Sequence, residues 1–124
     1  MEKVKFNNNI LVIGYGAVSQ CTLPIVLEHI DMPRKKIIVI DMEDKSEKLK
    51  QFADTGIKFF QKKIAPGNLN SVLQKYAGSN DLIIDLAWNI GANDIIKWCH
   101  DHNTLYVNTS VELWNPDKPK KIFD

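Results

Sequence analysis

Short apolar runs alternate with amphipathic stretches along the 124-residue chain. The apolar runs predict strands over residues 10–14, 37–41, 57–60, 81–86 and 104–107, and the amphipathic stretches predict helices over 18–30, 44–54, 69–76 and 92–102. A run that is apolar throughout is typical of a parallel strand covered on both faces. Strands that alternate with helices over short links predict a parallel sheet with right-handed crossovers. We therefore expect an α/β protein with three layers, αβα.

Local signals refine the predicted helices and the end of the domain. Asp44 precedes Glu47 at the spacing of a capping box, which predicts a helix that starts there and ends near Gly56. Pro24 lies inside the first helix and predicts a kink, because proline lacks the amide hydrogen. The pattern breaks after Val111, so we expect one domain over residues 1–112 and an irregular exit segment over 113–124. A full doubly wound fold usually closes with a sixth strand, and a substrate site usually needs a second domain or a cap. Because the pattern predicts neither, we expect a truncated chain with a missing catalytic domain beyond that segment.

A glycine-containing turn follows the first strand and opens the first helix. Gly14 suits a tight turn, and Gly16, which has no Cβ, lets the backbone approach a pyrophosphate. The amides of Ala17 and Val18 then face the phosphates at the positive end of the helix. In this strand–turn–helix context the motif predicts a Rossmann-type dinucleotide site, and hence the doubly wound strand order 3-2-1-4-5.

Two further positions belong to this fingerprint. Ser19 stands where a third glycine is usual; since that position serves helix packing, we expect a small packing cost and no loss of binding. Asp41 ends the second strand, 25 residues after Gly16, where a carboxylate binds the ribose hydroxyls. The Asp41 carboxylate would repel the 2′-phosphate of NADP, and the nearest cation along the sequence is Lys45, four residues later. The sequence therefore favours NAD over NADP. Alternatively, Asp41 only ends the strand and caps a turn.

Polar residues also follow the fourth and fifth strands. Trp88 and Asn89, and then Asn108 and Thr109, lie at the carboxyl edge where open α/β sheets bind ligands, so we predict that they contact the cofactor. For Trp88 and Asn89 the alternative is an ordinary loop. Glu112 follows at the same edge and is the best local candidate for a proton acceptor or for binding a cationic substrate.

Composition narrows the class of protein further. A net charge of +1 gives no long-range electrostatic field that would attract nucleic acid. No apolar run reaches the roughly 20 residues of a membrane span. The two cysteines, Cys21 and Cys99, and the absence of a signal-like start predict a cytoplasmic protein. Cys99 and His102 lie one helical turn apart, but without a second ligand cluster we expect no metal.

Several motifs together resemble homospermidine synthase. They are the Gly-Tyr-Gly turn followed by Gln20 and Leu23-Pro24, and the late stretch Asn108-Thr109-x-Val111-Glu112-x-Trp114. The resemblance covers nearly the whole chain but only the amino-terminal third of that enzyme. Leu113 departs from it, because the family tends to have proline there, and so does Ser19.

The resemblance implies an NAD-dependent transferase of polyamine biosynthesis. Such an enzyme makes homospermidine from two putrescines, or from spermidine and putrescine, releases ammonia, and recycles the hydride on NAD. Glu112 would then bind the substrate amine or transfer a proton, and Trp114 would line the substrate pocket. The resemblance further implies a homodimer in the full-length enzyme and little activity for this chain alone.

Two alternatives remain at this point. A nucleotide-sensing regulatory module of potassium-transport control has a similar length and a similar glycine motif, and it performs no chemistry. It would have no need of Glu112 and Trp114 beyond the fifth strand. A saccharopine-dehydrogenase-like domain with another substrate is disfavoured by the Val-Glu-x-Trp stretch.

Overall fold

The structure, a computed structural model, describes residues 2–114. The strands are β1 (Val4–Lys5), β2 (Ile10–Ile13), β3 (Ile30–Asp31), β4 (Ile37–Asp41), β5 (Lys58–Gln61), β6 (Leu82–Asp85) and β7 (Leu105–Asn108). The helices are α1 (Ala17–His29), α2 (Lys50–Ala53), α3 (Leu69–Tyr76) and α4 (Ala92–His102). A short 3-10 helix spans Arg34–Lys36. The predicted exit segment begins with Leu113 and Trp114, and residues 115–124 lie outside the described part.

Five strands form one parallel sheet in the order β5-β4-β2-β6-β7. Its central strand, β2, pairs with β4 on one side and β6 on the other, so that Ile10 lies opposite both Ile37 and Leu82. Numbered by the five predicted strands, this order is 3-2-1-4-5, which confirms the predicted Rossmann-type topology. The small parallel pair β1–β3 was not expected from the pattern.

A hydrophobic core lies on each face of the sheet. Along β2 the side chains alternate: Ile10 and Val12 belong to the core with Leu23 of α1, whereas Leu11 and Ile13 belong to the core with α3 and α4. Both faces are covered, which explains why β2 is apolar throughout and confirms the three-layer αβα arrangement.

Helix α2 is much shorter than the sequence predicts. The Asp44 carboxylate accepts the Ser46 amide at 3.0 Å, but turns follow it, and the helix starts only at Lys50. The segment 43–50 carries seven polar residues around Leu49, so it has little apolar surface with which to bury a longer helix. The predicted start at Asp44 is therefore wrong, whereas α3 and α4 have the predicted bounds.

Helix α1 runs without a break from Ala17 to His29, and Pro24 lies within it at an exposed position. Leu23 is buried against the sheet, but Val18, Cys21 and Ile25 are exposed. These three form a stripe at i, i+3 and i+7. Both sides of the helix are apolar, so periodicity alone did not identify the buried side. In the described range no helix has the length and apolar character of a membrane span.

Candidate functional site

A cleft of about 610 Å³ opens at the carboxyl ends of β2, β4, β5 and β6. Six residues proposed from the sequence line it: Gly14, Gly16, Asp41, Trp88, Asn89 and Trp114. Ala17 and Val18 begin α1 beside it, while Asn108, Thr109 and Glu112 are not among its lining residues. The structure thus brings most of the predicted cofactor residues together at the cleft, whereas Asn108, Thr109 and Glu112 do not line it.

Gly14 makes the turn out of β2 in a backbone conformation that residues with a side chain rarely adopt. Its φ is +89°, and its amide donates to the Ile40 carbonyl at 2.8 Å. A Cβ at this position would lie 2.8 Å from the Cα of Ala87, in the loop after β6. Gly14 is therefore required both for its positive φ and for the close approach of two chain segments.

Gly16 leaves open space at the start of α1. A Cβ built on Gly16 would find no atom within 4 Å, and Gly16 caps the helix without any side-chain hydrogen bond. The first turn carries no acidic residue, so the positive end of the helix has no side-chain anion of its own. Open space beside unpaired amides is the arrangement that a phosphate group fits.

Ser19 does more than replace a missing glycine. Its side chain is buried, and its hydroxyl donates a hydrogen bond to the Gly14 carbonyl. The sequence suggested only a packing cost at this position. Instead, Ser19 ties the first turn of α1 to the glycine turn, which helps to fix the shape of the turn.

Asp41 is connected directly to the glycine turn. One carboxylate oxygen accepts the Tyr15 amide at 2.7 Å, and the other accepts the Glu43 amide at 2.8 Å. The Tyr15 side chain is buried in the core on the α1 side. Because each carboxylate oxygen has a second lone pair, Asp41 can hold the turn and still accept a hydroxyl. The bond from the Glu43 amide is the turn cap that the alternative interpretation predicts, and the bond from the Tyr15 amide is additional to it.

The rim of the cleft offers an aromatic face and several cations. Trp88 is 83% exposed, and Asn89 beside it has a φ of +60°. Lys62 and Lys63 follow β5 and line the cleft together with Lys45. Sequence reasoning had not assigned Lys62 and Lys63 to the site, although they follow a predicted strand at the same sheet edge.

Trp114 closes one side of the cleft by packing over the start of α4. Its indole nitrogen donates to Asp94 at 2.6 Å, and its ring lies where a side chain on Gly91 would be. The Ala92 amide donates to the Glu112 carbonyl at 3.0 Å, which fixes the same segment. Behind Trp114 lies a smaller pocket of about 240 Å³, lined by Glu112 and Asp94. Trp114 therefore lies between the two cavities.

A buried polar network that the sequence did not reveal joins β6 to β7. Asp85 is 5% exposed; its carboxylate accepts the Tyr106 hydroxyl at 2.6 Å, and the Asn108 amide donates to that hydroxyl at 3.0 Å. Burial raises the pKa of Asp85, although the Tyr106 hydrogen bond opposes this. Burial, with the Asp85 charge, also raises the pKa of Cys99 to about 11. Asn108 thus supports this network within the domain.

The pH dependence of stability should report on Asp85. Its folded pKa is raised above the ordinary 3.8, so its contribution to stability is present below pH 3.8 and is lost as pH rises through the folded pKa. Relative to the wild type, D85N should therefore gain free energy of unfolding between pH 4 and pH 7. Urea denaturation across this range measures the difference. A difference independent of pH, or one that the exposed control D54N reproduces, would contradict this role.

The histidine and cysteine at the end of α4 have local contacts. The His102 ring stacks on Trp98 with 4.0 Å between centroids, and its Nδ1 lies 2.7 Å from the Trp98 carbonyl oxygen. Cys99 is buried in the core. Within residues 2–114, no group of three or more His, Cys, Asp or Glu side chains is placed to hold a metal ion.

Three comparisons with known proteins agree with this geometry. The chain is 28% identical over 113 residues to homospermidine synthase of Blastochloris viridis, a match that covers 89% of this chain and 23% of that protein. It is 27% identical over 108 residues to the homospermidine synthase of Mesorhizobium japonicum, covering 85% and 22%. These matches confirm the resemblance drawn from the sequence. The chain spans about a quarter of the length of these relatives.

A solved structure is also similar to this chain, and it too is a homospermidine synthase. The crystal structure of homospermidine synthase from Legionella pneumophila in complex with NAD matches with a TM-score of 0.85 at 27% identity, covering 94% of this chain and 25% of that one. The family described as "Saccharopine dehydrogenase NADP binding domain" matches residues 10–122, which is most of the chain. The protein described here therefore belongs to the saccharopine dehydrogenase NADP-binding domain family.

Proposed function

We propose that this chain binds NAD and supplies the cofactor site of an enzyme of the homospermidine synthase type. One observation carries the proposal: Asp41 holds the glycine turn against β4, while Gly16 leaves open space at the start of α1. A preformed turn beside unpaired helix amides suits a diphosphate, and a carboxylate beside it suits a ribose.

Each part of the cleft has a distinct role in this proposal. The diphosphate lies over Gly16 and the amides of Ala17 and Val18, and the ribose hydroxyls donate to Asp41. Trp88 offers its exposed face at the rim, next to Asn89. NAD, when bound, supplies the acceptance and return of a hydride. The chain's own residues bind and orient the nucleotide.

The choice of NAD over NADP depends on Asp41. Its carboxylate attracts hydroxyl donors and repels the 2′-phosphate of NADP, and the related Legionella enzyme was solved with NAD. We expect this chain to bind NAD roughly tenfold or more tightly than NADP. Isothermal titration calorimetry with both nucleotides measures the ratio, and tighter binding of NADP would contradict the assignment.

The relatives' names and the second pocket support a proposal for the substrate and the reaction. We propose that two molecules of a small diamine such as putrescine, or spermidine and putrescine, are joined to give homospermidine with release of one ammonia. Glu112 would bind an amine or move a proton, and Trp114 would form the wall toward the nucleotide. The support for these roles is that Glu112 lines the second pocket and that Trp114 lines both this pocket and the cleft. We further propose a cytoplasmic homodimer for the full-length enzyme.

Similarity to two homospermidine synthases supports this proposal over the regulatory alternative. A synthase and a regulatory nucleotide sensor also differ in what should happen to the nucleotide bound to a longer protein. A synthase oxidises and reduces its nucleotide during turnover, which absorbance at 340 nm detects, whereas a nucleotide sensor leaves it unchanged.

A further inference from the structure

The ribose end of the cleft contains an ion pair that the proposed function leaves unexplained. Glu43 and Lys45 follow Asp41 in the loop after β4, and all three line the cleft. The Lys45 ammonium lies 3.1 Å from the Glu43 carboxylate. Only 19% of the Lys45 side chain is exposed, against 70% of the Glu43 side chain. Lys45 is thus largely enclosed, and its charge is directed to Glu43.

Side-chain-to-backbone hydrogen bonds set the shape of this loop. Asp41 accepts the Glu43 amide at 2.8 Å, and Asp44 accepts both the amide and the hydroxyl of Ser46, at 3.0 and 2.6 Å. Such turns fix the backbone on both sides of Lys45. The ion pair therefore forms within a loop whose backbone is already fixed.

The ion pair changes the charge that a nucleotide meets beside Asp41. With Glu43 present, Asp41, Glu43 and Lys45 sum to one negative charge, and the single cation is already paired. That balance suits a neutral 2′-hydroxyl and disfavours a 2′-phosphate, which needs a free cation. Without Glu43, the two remaining charged residues of this loop that line the cleft, Asp41 and Lys45, would sum to zero, and the Lys45 ammonium would lose this partner.

We propose that Glu43 is a second selectivity-determining residue, which favours NAD over NADP by keeping Lys45 from a 2′-phosphate. This rests on the proposed function, because it assigns a role within the same nucleotide site. Asp41 acts by repulsion, whereas Glu43 acts by pairing with Lys45. Lys62 and Lys63 line the cleft from a different loop, after β5, and are exposed.

Calorimetry with NAD and NADP on four proteins tests this proposal: wild type, E43Q, E43Q/K45A and the control E47Q. Glu47 is exposed in the same segment and does not line the cleft. E43Q should bind NADP about tenfold more tightly, with NAD affinity changed less than about twofold. E43Q/K45A should return NADP affinity to the wild-type value, and E47Q should match the wild type.

Three outcomes overturn the proposal. They are an unchanged NADP-to-NAD ratio in E43Q, a gain that persists in E43Q/K45A, and an equal gain in E47Q. A persistent gain would show that the Glu43 charge acts on the 2′-phosphate directly and not through Lys45. K45A in the wild-type background gives an independent check: NADP affinity should not fall, because Lys45 is already paired. A wild-type chain that binds neither nucleotide refutes the proposed function itself, before any variant is compared.

Discussion

The G14A variant is expected to unfold roughly 10 °C below the wild type and to lose most nucleotide binding. An L-residue in the left-handed region costs about 1–2 kcal/mol, and Gly14 has a φ of +89°. The new Cβ would also meet the Ala87 backbone at 2.8 Å, which cannot yield as a flexible side chain can. A total of about 3 kcal/mol corresponds to the stated shift for a domain of this size. Thermal unfolding followed by circular dichroism measures it.

G67A is the matched control for this variant. A Cβ on Gly67 would meet nothing within 4 Å, and its φ is not positive. Its melting temperature should stay within about 2 °C of the wild type. If G14A were as stable as G67A, the described approach of Gly14 to Ala87 would be wrong.

The G16D variant should have the opposite profile: wild-type stability or better, with nucleotide binding weakened at least about 100-fold. Aspartate is a preferred N-cap residue and interacts favourably with the positive end of α1. The same carboxylate would fill the open space above Gly16 and repel a diphosphate. Thermal unfolding and calorimetry with NAD measure the two effects on one protein sample.

G16N separates charge from volume at this position. Asparagine is also a good N-cap residue and has nearly the same shape, but it carries no charge. It should weaken NAD binding less than G16D does, at similar stability. Wild-type affinity in G16D would show that the phosphates lie elsewhere.

The sheet could be predicted from the sequence because burial on both faces makes its inner strands apolar throughout. Helices α3 and α4 were also predicted to the residue, since their apolar faces are well separated from polar ones. Helix α2 was predicted wrongly, because the capping pair Asp44 and Glu47 is a local signal and the segment has little apolar surface to bury. A local hydrogen bond does not by itself stabilise a helix.

The cleft was predictable where its residues belong to one local motif or to a strand end. Gly14 and Gly16 belong to the local motif, and Asp41 ends β4. The bonds from Asp85 to Tyr106 and from Trp114 to Asp94 join residues 20 or more positions apart, so no spacing in the sequence indicates them. The ion pair of Glu43 with Lys45 is local, but only the enclosure of Lys45 distinguishes it from an ordinary surface pair.

The glycine turn is held from several sides by the chain's own hydrogen bonds and packing. Its amides donate to Ile40 and Asp41, Ser19 donates to its Gly14 carbonyl, and the Tyr15 ring is buried. A turn fixed in this way has little conformational entropy left to lose when a ligand binds. Nucleotide association should therefore follow a single exponential, with a rate that rises linearly with concentration and no slow rearrangement after the encounter.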